Sequence, residues 1–505
     1  MAQDRPNILL ILSDEHNPQM AGCYGHEIVR TPRLDALAAE GVTFEQAYCN
    51  SPTCVCSRAS LMTGRYVHEI GVFHHGNPLR SDIPTFAHYF EAAGYETVLC
   101  GKMHFVGEWN QLHGFGRRLL GEPEQWTGGW DKSKVRTEAT RRGSNSHVTS
   151  SGPGRPFFPV GYDELVTDLS CRFLAEKAER PAGRPWLLVA GLLAPHFPLY
   201  APQEYFDLYY PGNVVMPAVG YEPGRDEHPV IRQIRRWLRQ EDGIPESITR
   251  RSLAAYYGLV TFTDHNIGRM LDIIDQSSLR ENTVVIYTSD HGEMAGHHGL
   301  WQKFCFYEPS VRVPLVVRYP GGPRGIRVKE SVSLVDLAPT LCDFAGIEPP
   351  RGFSGASLLP LVREEAARGG GTEGPAGGVG DGAGCGAPGP APGSGCGPSR
   401  TVFAEYHAHG ILGSAYMIRK GRYKYNYYPG YPPQLFDLEA DPDEVRDLSA
   451  DPAFRGVVEA LHAELLSLVD PDVLAAKVKE WEKLPGIDAV KRFPFGELAE
   501  FGKRG

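Results

Sequence analysis

The run Thr283-Val284-Val285-Ile286-Tyr287-Thr288-Ser289-Asp290-His291-Gly292-Glu293 decides how this chain folds. Its first five residues are apolar or β-branched without alternation, as in a strand covered on both faces, and polar residues able to do chemistry follow directly. Three other stretches share the design. Residues 8–12 end in Ser13-Asp14-Glu15-His16, residues 97–99 lead to Gly101-Lys102-Met103-His104, and residues 186–193 end in Ala194-Pro195-His196. Helical patterns separate them, at 31–40, 83–93, 163–177 and 254–274. Strand alternating with helix predicts an α/β fold, a large mostly parallel sheet sandwiched by helices. Such sheets bind ligands beyond the carboxyl ends of their strands, so the four polar clusters are expected to converge on one site. One acid at a strand end would ordinarily cap a helix or serve a loop; four such clusters together point to chemistry.

A second stretch, Ser51-Pro52-Thr53-Cys54-Val55-Cys56-Ser57-Arg58-Ala59-Ser60-Leu61-Met62-Thr63-Gly64-Arg65, sets a thiol and a guanidinium four residues apart at the mouth of a helix. Residues 59–62 favour helix, which places Ser57 and Arg58 in a first turn. Free N–H groups and the positive dipole end attract tetrahedral oxyanions there.

The 505 residues can bury a large core and are read as one large domain with one small. Against 61 acidic residues stand 51 basic ones, a net charge of −10, and neither end carries a basic run. Charge therefore gives no reason to expect nucleic acid or membrane as a partner, and an anionic substrate must be captured locally. The first apolar run is short and ends at Asp14, unlike a signal peptide or a membrane span, and a cytoplasmic protein is expected. Ten scattered cysteines suit free thiols in a reducing compartment. Residues 364–399 are nearly all Gly, Pro and Ala and are read as a flexible insertion, because they cannot offset their ordering entropy. The expected organisation is a main domain over 1–363, the insertion over 364–399, and a C-terminal α+β subdomain over 400–505. Strand-like runs at 401–406, 423–428 and 435–438 and a helix at 452–469 should give that subdomain a small antiparallel sheet with a helix packed on it.

The stretch from Ser51 to Arg65 resembles the signature of the type I sulfatases, in the alkaline-phosphatase-like superfamily, where the first cysteine of Cys-x-Pro-x-Arg is oxidised to formylglycine. Cys56 stands in the proline's place. Gly101-Lys102-Met103-His104, Pro195-His196-Phe197-Pro198, Asp290-His291-Gly292-Glu293 and Gly299-Leu300-Trp301-Gln302-Lys303 carry the resemblance over residues 6–363, and it resumes over 401–448. The nearest look is to choline-sulfatase-like members, through Ser81-Asp82-Ile83-Pro84-Thr85-Phe86-Ala87-His88-Tyr89 and Gln111-Leu112-His113-Gly114-Phe115. The C-terminal tail does not resemble theirs, and His74-His75 stands where they have an Asp-Asn pair, which weakens choline sulfate as the substrate.

The resemblance implies a sulfuric ester hydrolase. It places Asp14, Asp290, His291 and the formylglycine from Cys54 around a divalent metal, with Glu15 in the place of a frequent fourth acid. Facing carboxylates need a cation, and oxygen-rich ligation selects a hard one, Ca²⁺ first and Mg²⁺ or Mn²⁺ after it. Arg58, Lys102 and Lys303 match the sulfate clamp. His104 and His196 match the two histidines that collapse the covalent adduct and protonate the leaving oxygen. A hydrated aldehyde suits the task, since one hydroxyl attacks sulfur and loss of the other proton then releases sulfate, whereas a serine would only form another inert ester. The implied partners are a small-molecule sulfate ester and a formylglycine-generating maturase; a homo-oligomer is left open.

Two alternatives accompany this reading. One is a phosphonate monoester or phosphodiester hydrolase of the same superfamily. The other is a catalytically silent binding protein with the same fold, suggested by Cys56 alone and opposed by seven retained chemical groups. Specificity is expected from residues 73–79 and from residues 125–130 with Trp126 and Trp130. His26, His68, His88, His113, His228 and His409 are read as structural, and His297 and His298 are left ambiguous. Cys56 is read as a small residue tolerated in proline's place, the alternative being poor maturation of Cys54; a Cys-x-Cys disulfide would be strained.

Overall fold

The computed structural model describes residues 5–107, 110–123, 144–180, 183–349, 351–369 and 399–483. The continuous apolar runs form the centre of an eight-stranded sheet. Its strands, in chain order, are β1 (Asn7–Asp14), β2 (Val42–Phe44), β3 (Glu96–Gly101), β4 (Arg117–Leu120), β5 (Trp186–Pro195), β6 (Thr283–Ser289), β7 (Leu315–Arg318) and β8 (Ile326–Val328). They lie side by side as β8-β2-β7-β6-β1-β5-β3-β4, parallel except where β7 meets β6 and β2. The four strands singled out from sequence are thus adjacent and point the same way.

Helices cover both faces. They include α1 (Pro32–Ala39), α2 (Cys54–Thr63), α3 (Phe86–Ala92), α4 (Tyr162–Glu179), α5 (Pro229–Trp237) and α6 (Glu246–Asp275). The two-residue period of β1 sends Ile8, Leu10 and Leu12 to one side, against Leu61 and Met62 of α2 and Phe86 and Phe90 of α3. Leu9 and Ile11 go to the other, with Leu37 of α1, Val166 and Phe173 of α4 and Met270 of α6. Each such side chain contributes about 1.5–3 kcal/mol on burial, which is why this strand reads as an unbroken apolar run. At the active edge β3 and β5 approach closely: Gly101 faces Gly191, and a Cβ on Gly191 would lie 1.9 Å from the Lys102 carbonyl oxygen. Only glycine lets Lys102 cross there.

The C-terminal part is an antiparallel meander of β9 (Thr401–Tyr406), β10 (Ala415–Lys420), β11 (Tyr423–Tyr427) and β12 (Gln434–Asp437). The expected boundary at 363 falls inside a helix, α7 (Leu359–Ala367), because Arg363-Glu364-Glu365-Ala366-Ala367 still favours helix before the glycines begin. Residues 370–398 of the predicted insertion lie outside the described residues. After the meander come α8 (Arg455–Leu468), which lays Leu461 and Leu465 on Phe403, Ile418 and Leu435, and a helix at Pro471–Lys483 that sequence reading missed. Cys56, Val67 and Phe73 of the main domain join the same cluster, so the meander is packed on the back of α2.

An ionic link accompanies that packing. The buried Glu405 carboxylate on β9 accepts from the His68 backbone N–H at 2.8 Å and ring at 2.9 Å, and lies 2.9 Å from His407 Nε2. Burial opposes its charge, yet His68 and His407 bring its pKa down to about 2 from the ordinary 4.5. A depressed carboxyl stabilises the fold above the unfolded pKa and loses that contribution as pH falls toward the folded one. Glu405→Gln is expected to cost about 3–5 kcal/mol near neutral pH. In urea titrations the gap between wild type and variant should close as pH drops from 4.5 toward 2.

Candidate active site

The thiol stretch folds one turn earlier than its sequence suggests. Thr53 is extended and α2 begins at Cys54, so the free N–H groups of the helix belong to residues 54–56, the Ser57 N–H already donating to the Thr53 carbonyl at 3.0 Å, and Arg58 sits in the second turn. All ten residues of α2 are buried. Arg58 is turned inward: Nε donates to Asp290 Oδ2 at 2.7 Å, Nη2 to Asp14 Oδ2 at 3.0 Å and the Ser13 carbonyl at 3.1 Å, and Nη1 to the Lys102 carbonyl at 2.8 Å. The clamp role carried over to Arg58 by resemblance does not suit this geometry. Its planar fork ties the ends of β1, β3 and β6 together.

With their Oδ2 atoms held by Arg58, Asp14 and Asp290 turn Oδ1 toward a common point, Asp290 Oδ1 also accepting from the His291 N–H at 2.9 Å and the Glu15 N–H at 3.2 Å. His291 Nε2 lies 3.7 Å from each Oδ1, and Cys54 Sγ lies 3.1 Å from His291 Nε2 and 3.6 Å from Asp14 Oδ1. His291 Nδ1 is 3.0 Å from the Gly292 carbonyl and donates to it, which leaves the Nε2 lone pair for a ligand role. Burial raises both carboxyls, but Lys102, His196 and Arg58 bring Asp14 far below the carboxylate range, whereas Asp290 stays raised despite Arg58. Two carboxylates with unequal pKa values facing one point are the like-charge conflict that a divalent cation removes. The four donors fit a metal of this kind.

Glu15 departs from Asp14 although adjacent. Its φ of 66° turns the side chain away from the four donors. It accepts from Lys303 Nζ at 3.0 Å, with His196 Nε2 at 3.2 Å, and belongs to a separate grouping with Asp14 and His196. Expected as a metal ligand, it is an anchor for Lys303 in this structure. Lys303 rides on a strained loop with φ of 73° at Gln302 and 82° at Phe304, latched by Glu293 Oε1, which accepts from the Gln302 N–H at 2.6 Å. Gln302 also meets His147, whose ring lies 4.7 Å from Phe197. Lys102 pairs with Asp14 across the site. Burial opposes a thiolate at Cys54, but Lys102, Lys303, His291 and His104 outweigh it and hold the thiol far below its ordinary pKa.

Beyond Cys54 stands a wall of rings. His75 lies 3.1 Å from Thr53 Oγ1 through Nε2 and stacks on His409 with centroids 5.2 Å apart and planes at 27°. Trp237, the last residue of α5, covers the other side of His409 at 4.5 Å, and Phe304 meets His409 edge-on at 4.8 Å. His104 lies 5.5 Å from His75.

The sulfatase family model matches residues 6–347. The chain belongs to the sulfatase family. It is 33% identical over 470 residues to the choline-sulfatase of Rhizobium meliloti (strain 1021), covering 91% of this chain and 85% of that one. It is 33% identical over 393 residues to an arylsulfatase of Clostridium perfringens (strain 13 / Type A), covering 71% and 79%. Among solved structures it resembles the phosphonate monoester hydrolase of Agrobacterium radiobacter with a TM-score of 0.70 at 26% identity, covering 92% and 95%. The sulfatase acts on sulfate esters, and the phosphonate hydrolase is a related member of the same fold.

The fold of this sulfatase brings Asp14, Cys54, Arg58, Lys102, His104, His196, Asp290, His291 and Lys303 to one buried place, as the strand ends predicted. His409, read as structural, stacks on His75 near Cys54; it lies in the C-terminal meander, and nothing near it in sequence signals that partner. Trp237 and His147 were missed for the same reason. His297 and His298 face away, His298 lying 2.9 Å from the Asp443 carbonyl and stacked on Tyr307. Trp126 and Trp130 lie outside the described residues. Cys56 is a free, buried thiol facing Phe403 and Tyr416, pushed well up by burial and Glu405. Arg58→Ala is expected to strand two buried carboxylates, lowering stability by about 3–5 kcal/mol. Chemical unfolding checks this, and isothermal titration with Ca²⁺ should show tighter binding in the folded variant, because the competing positive charge is gone and both Oδ2 atoms are released.

Proposed function

We propose that this sulfatase hydrolyses a small sulfate ester through formylglycine at residue 54 and one divalent metal. The convergence of Cys54 Sγ with Asp14, Asp290 and His291 carries the reading. An aldehyde hydrate at residue 54 would supply a nucleophilic oxygen, and a hard cation, Ca²⁺ before Mg²⁺ or Mn²⁺, would lower that oxygen's pKa and polarise sulfate. Asp14, Asp290 and His291 would hold the cation, with Glu15 engaged by Lys303.

Lys102 and Lys303 bind the sulfate oxygens, and the two buried ammonium groups neutralise charge that builds on the transferring group. Burial and nearby lysines keep His104 and His196 neutral, near pKa 4 and 3 respectively. Arrival of the sulfate anion offsets the lysines and moves both imidazoles up toward operating pH. His196 Nε2 accepts from Lys303 Nζ at 3.0 Å while Nδ1 lies 2.6 Å from the Phe197 carbonyl, which orients the ring to pass a proton to the leaving oxygen. His104, on the Cys54 side, takes the proton whose loss releases sulfate.

The His75–His409–Trp237 wall bounds the leaving group. Among its described residues there is no carboxylate, and Lys303 already lies 5.6 Å over the Phe304 ring. His75 of that wall stands where choline-sulfatase-like members have an asparagine, which supports an aryl or sugar sulfate over choline sulfate. The eight described cysteines are free, which supports a reducing, cytoplasmic setting. Formylglycine at residue 54 requires a maturase as partner.

Protein made with an active maturase should carry an aldehyde at residue 54 and an intact thiol at residue 56, read by peptide mass and hydrazide labelling. A thiol at residue 54 with undiminished turnover would refute the mechanism. Asp290→Ala should abolish metal binding, by elemental analysis, together with turnover. Steady-state kinetics should rank choline sulfate below aryl and sugar sulfates, and His409→Ala should lower kcat/KM for the preferred ester by roughly 10-fold or more.

A further inference from the structure

The four donors around Cys54 have a geometry of their own while residue 54 is still a cysteine. Two donors are carboxylate oxygens, one is an imidazole nitrogen and one is a sulfur, and all lie within 4.8 Å of one another. The separations bracketing His291 Nε2 and Cys54 Sγ are 3.1, 3.6, 3.7 and 3.7 Å. Tetrahedral Zn²⁺ binds at about 2.0–2.3 Å, which sets its ligands roughly 3.3–3.7 Å apart. We propose that the chain with an unconverted Cys54 is a closed Asp-Asp-His-Cys site that takes Zn²⁺ in preference to Ca²⁺ or Mg²⁺.

Arg58 decides the coordination number. Because it holds the Oδ2 atoms of both Asp14 and Asp290, each carboxylate presents a single oxygen, and the protein supplies four donors. Ca²⁺ seeks 6–8 oxygens, so two oxygens, a nitrogen and a sulfur serve it poorly. Thiolate and imidazole are the donors that select zinc. On binding, a Zn–S bond forms and the thiol proton leaves to solvent, with no change of oxidation state. His291 needs no rearrangement, since its Nδ1 already faces the Gly292 carbonyl. Oxidation of Cys54 to the aldehyde removes the one soft donor, so conversion switches the metal preference of the pocket as well as creating the nucleophile. Cys56 is no part of this set, being turned toward Phe403 and Tyr416.

The inference rests on the metal pocket proposed above, and its test is separable from that proposal. Full-length protein would be made without a maturase, its residue-54 thiol verified by peptide mass, stripped with chelator and titrated with Co²⁺. The expected spectrum has a near-ultraviolet thiolate-to-cobalt charge-transfer band and the intense visible bands of tetrahedral cobalt. One equivalent of Zn²⁺ should erase both, and a large excess of Ca²⁺ should not. Cys54→Ser should lose the charge-transfer band and weaken Zn²⁺ by more than the roughly 10–100-fold that loss of a supporting partner costs. Cys56→Ala should keep the band. A pale octahedral spectrum without charge transfer in the unsubstituted chain, erasure by Ca²⁺, or a band that survives Cys54→Ser would overturn the inference. If the converted enzyme still requires Ca²⁺ while the thiol form gives no cobalt–thiolate band, the zinc inference alone fails. If neither form binds metal, the pocket reading fails with it.

Discussion

The Arg58 guanidinium, fully buried between Asp14 and Asp290, is the interaction on which the rest of the site depends. Two carboxylates driven to one point by parallel strands would repel each other in a dry interior. A buried charge left unpaired costs several kcal/mol, so the site can form only if a cation fixed in the protein partly neutralises it before any metal arrives. A guanidinium suits because its donors lie in a plane and can reach two carboxylates and two carbonyls at once. An ammonium in that place would be a point charge unable to hold β1, β3 and β6 in register.

Arg58 also divides the labour of the carboxylates. Its bonds to the Oδ2 atoms leave the Oδ1 atoms facing His291 and Cys54, so one residue sets both the charge and the directionality of the pocket. Lys102 and Lys303 then flank the pocket, each held against a buried acid, Asp14 and Glu15 respectively. Capture of an anion by a chain of net charge −10 follows from this local arrangement.

The C-terminal meander contributes more than cover. It packs on the back of α2 through Phe403 and Tyr416, joins the main domain through Glu405 and His68, and stacks His409 on His75. Cys56 belongs to this interface. Its buried thiol packs in the cluster that holds Phe403 and Tyr416.

Much of this was legible in the linear chain. Apolar runs ending in Asp14, Lys102, His196 and Asp290 determined the parallel sheet and the edge at which function would appear, because a strand buried on both faces leaves a direct signature and its carboxyl end has a fixed relation to the fold. The spacing of Cys54 and Arg58 likewise marked the helix mouth. Side-chain direction was not legible. Whether Arg58 faces sulfate or the carboxylates, and whether Glu15 joins Asp14 or turns to Lys303, depends on backbone angles such as the positive φ at Glu15 and on charges brought from residues hundreds of positions away. Of the wall, His75 was marked in the sequence within residues 73–79, but its partners His409 and Trp237 were not. Each ring sits on a different element, and only packing of the meander against the sheet brings them within 4.5–5.2 Å.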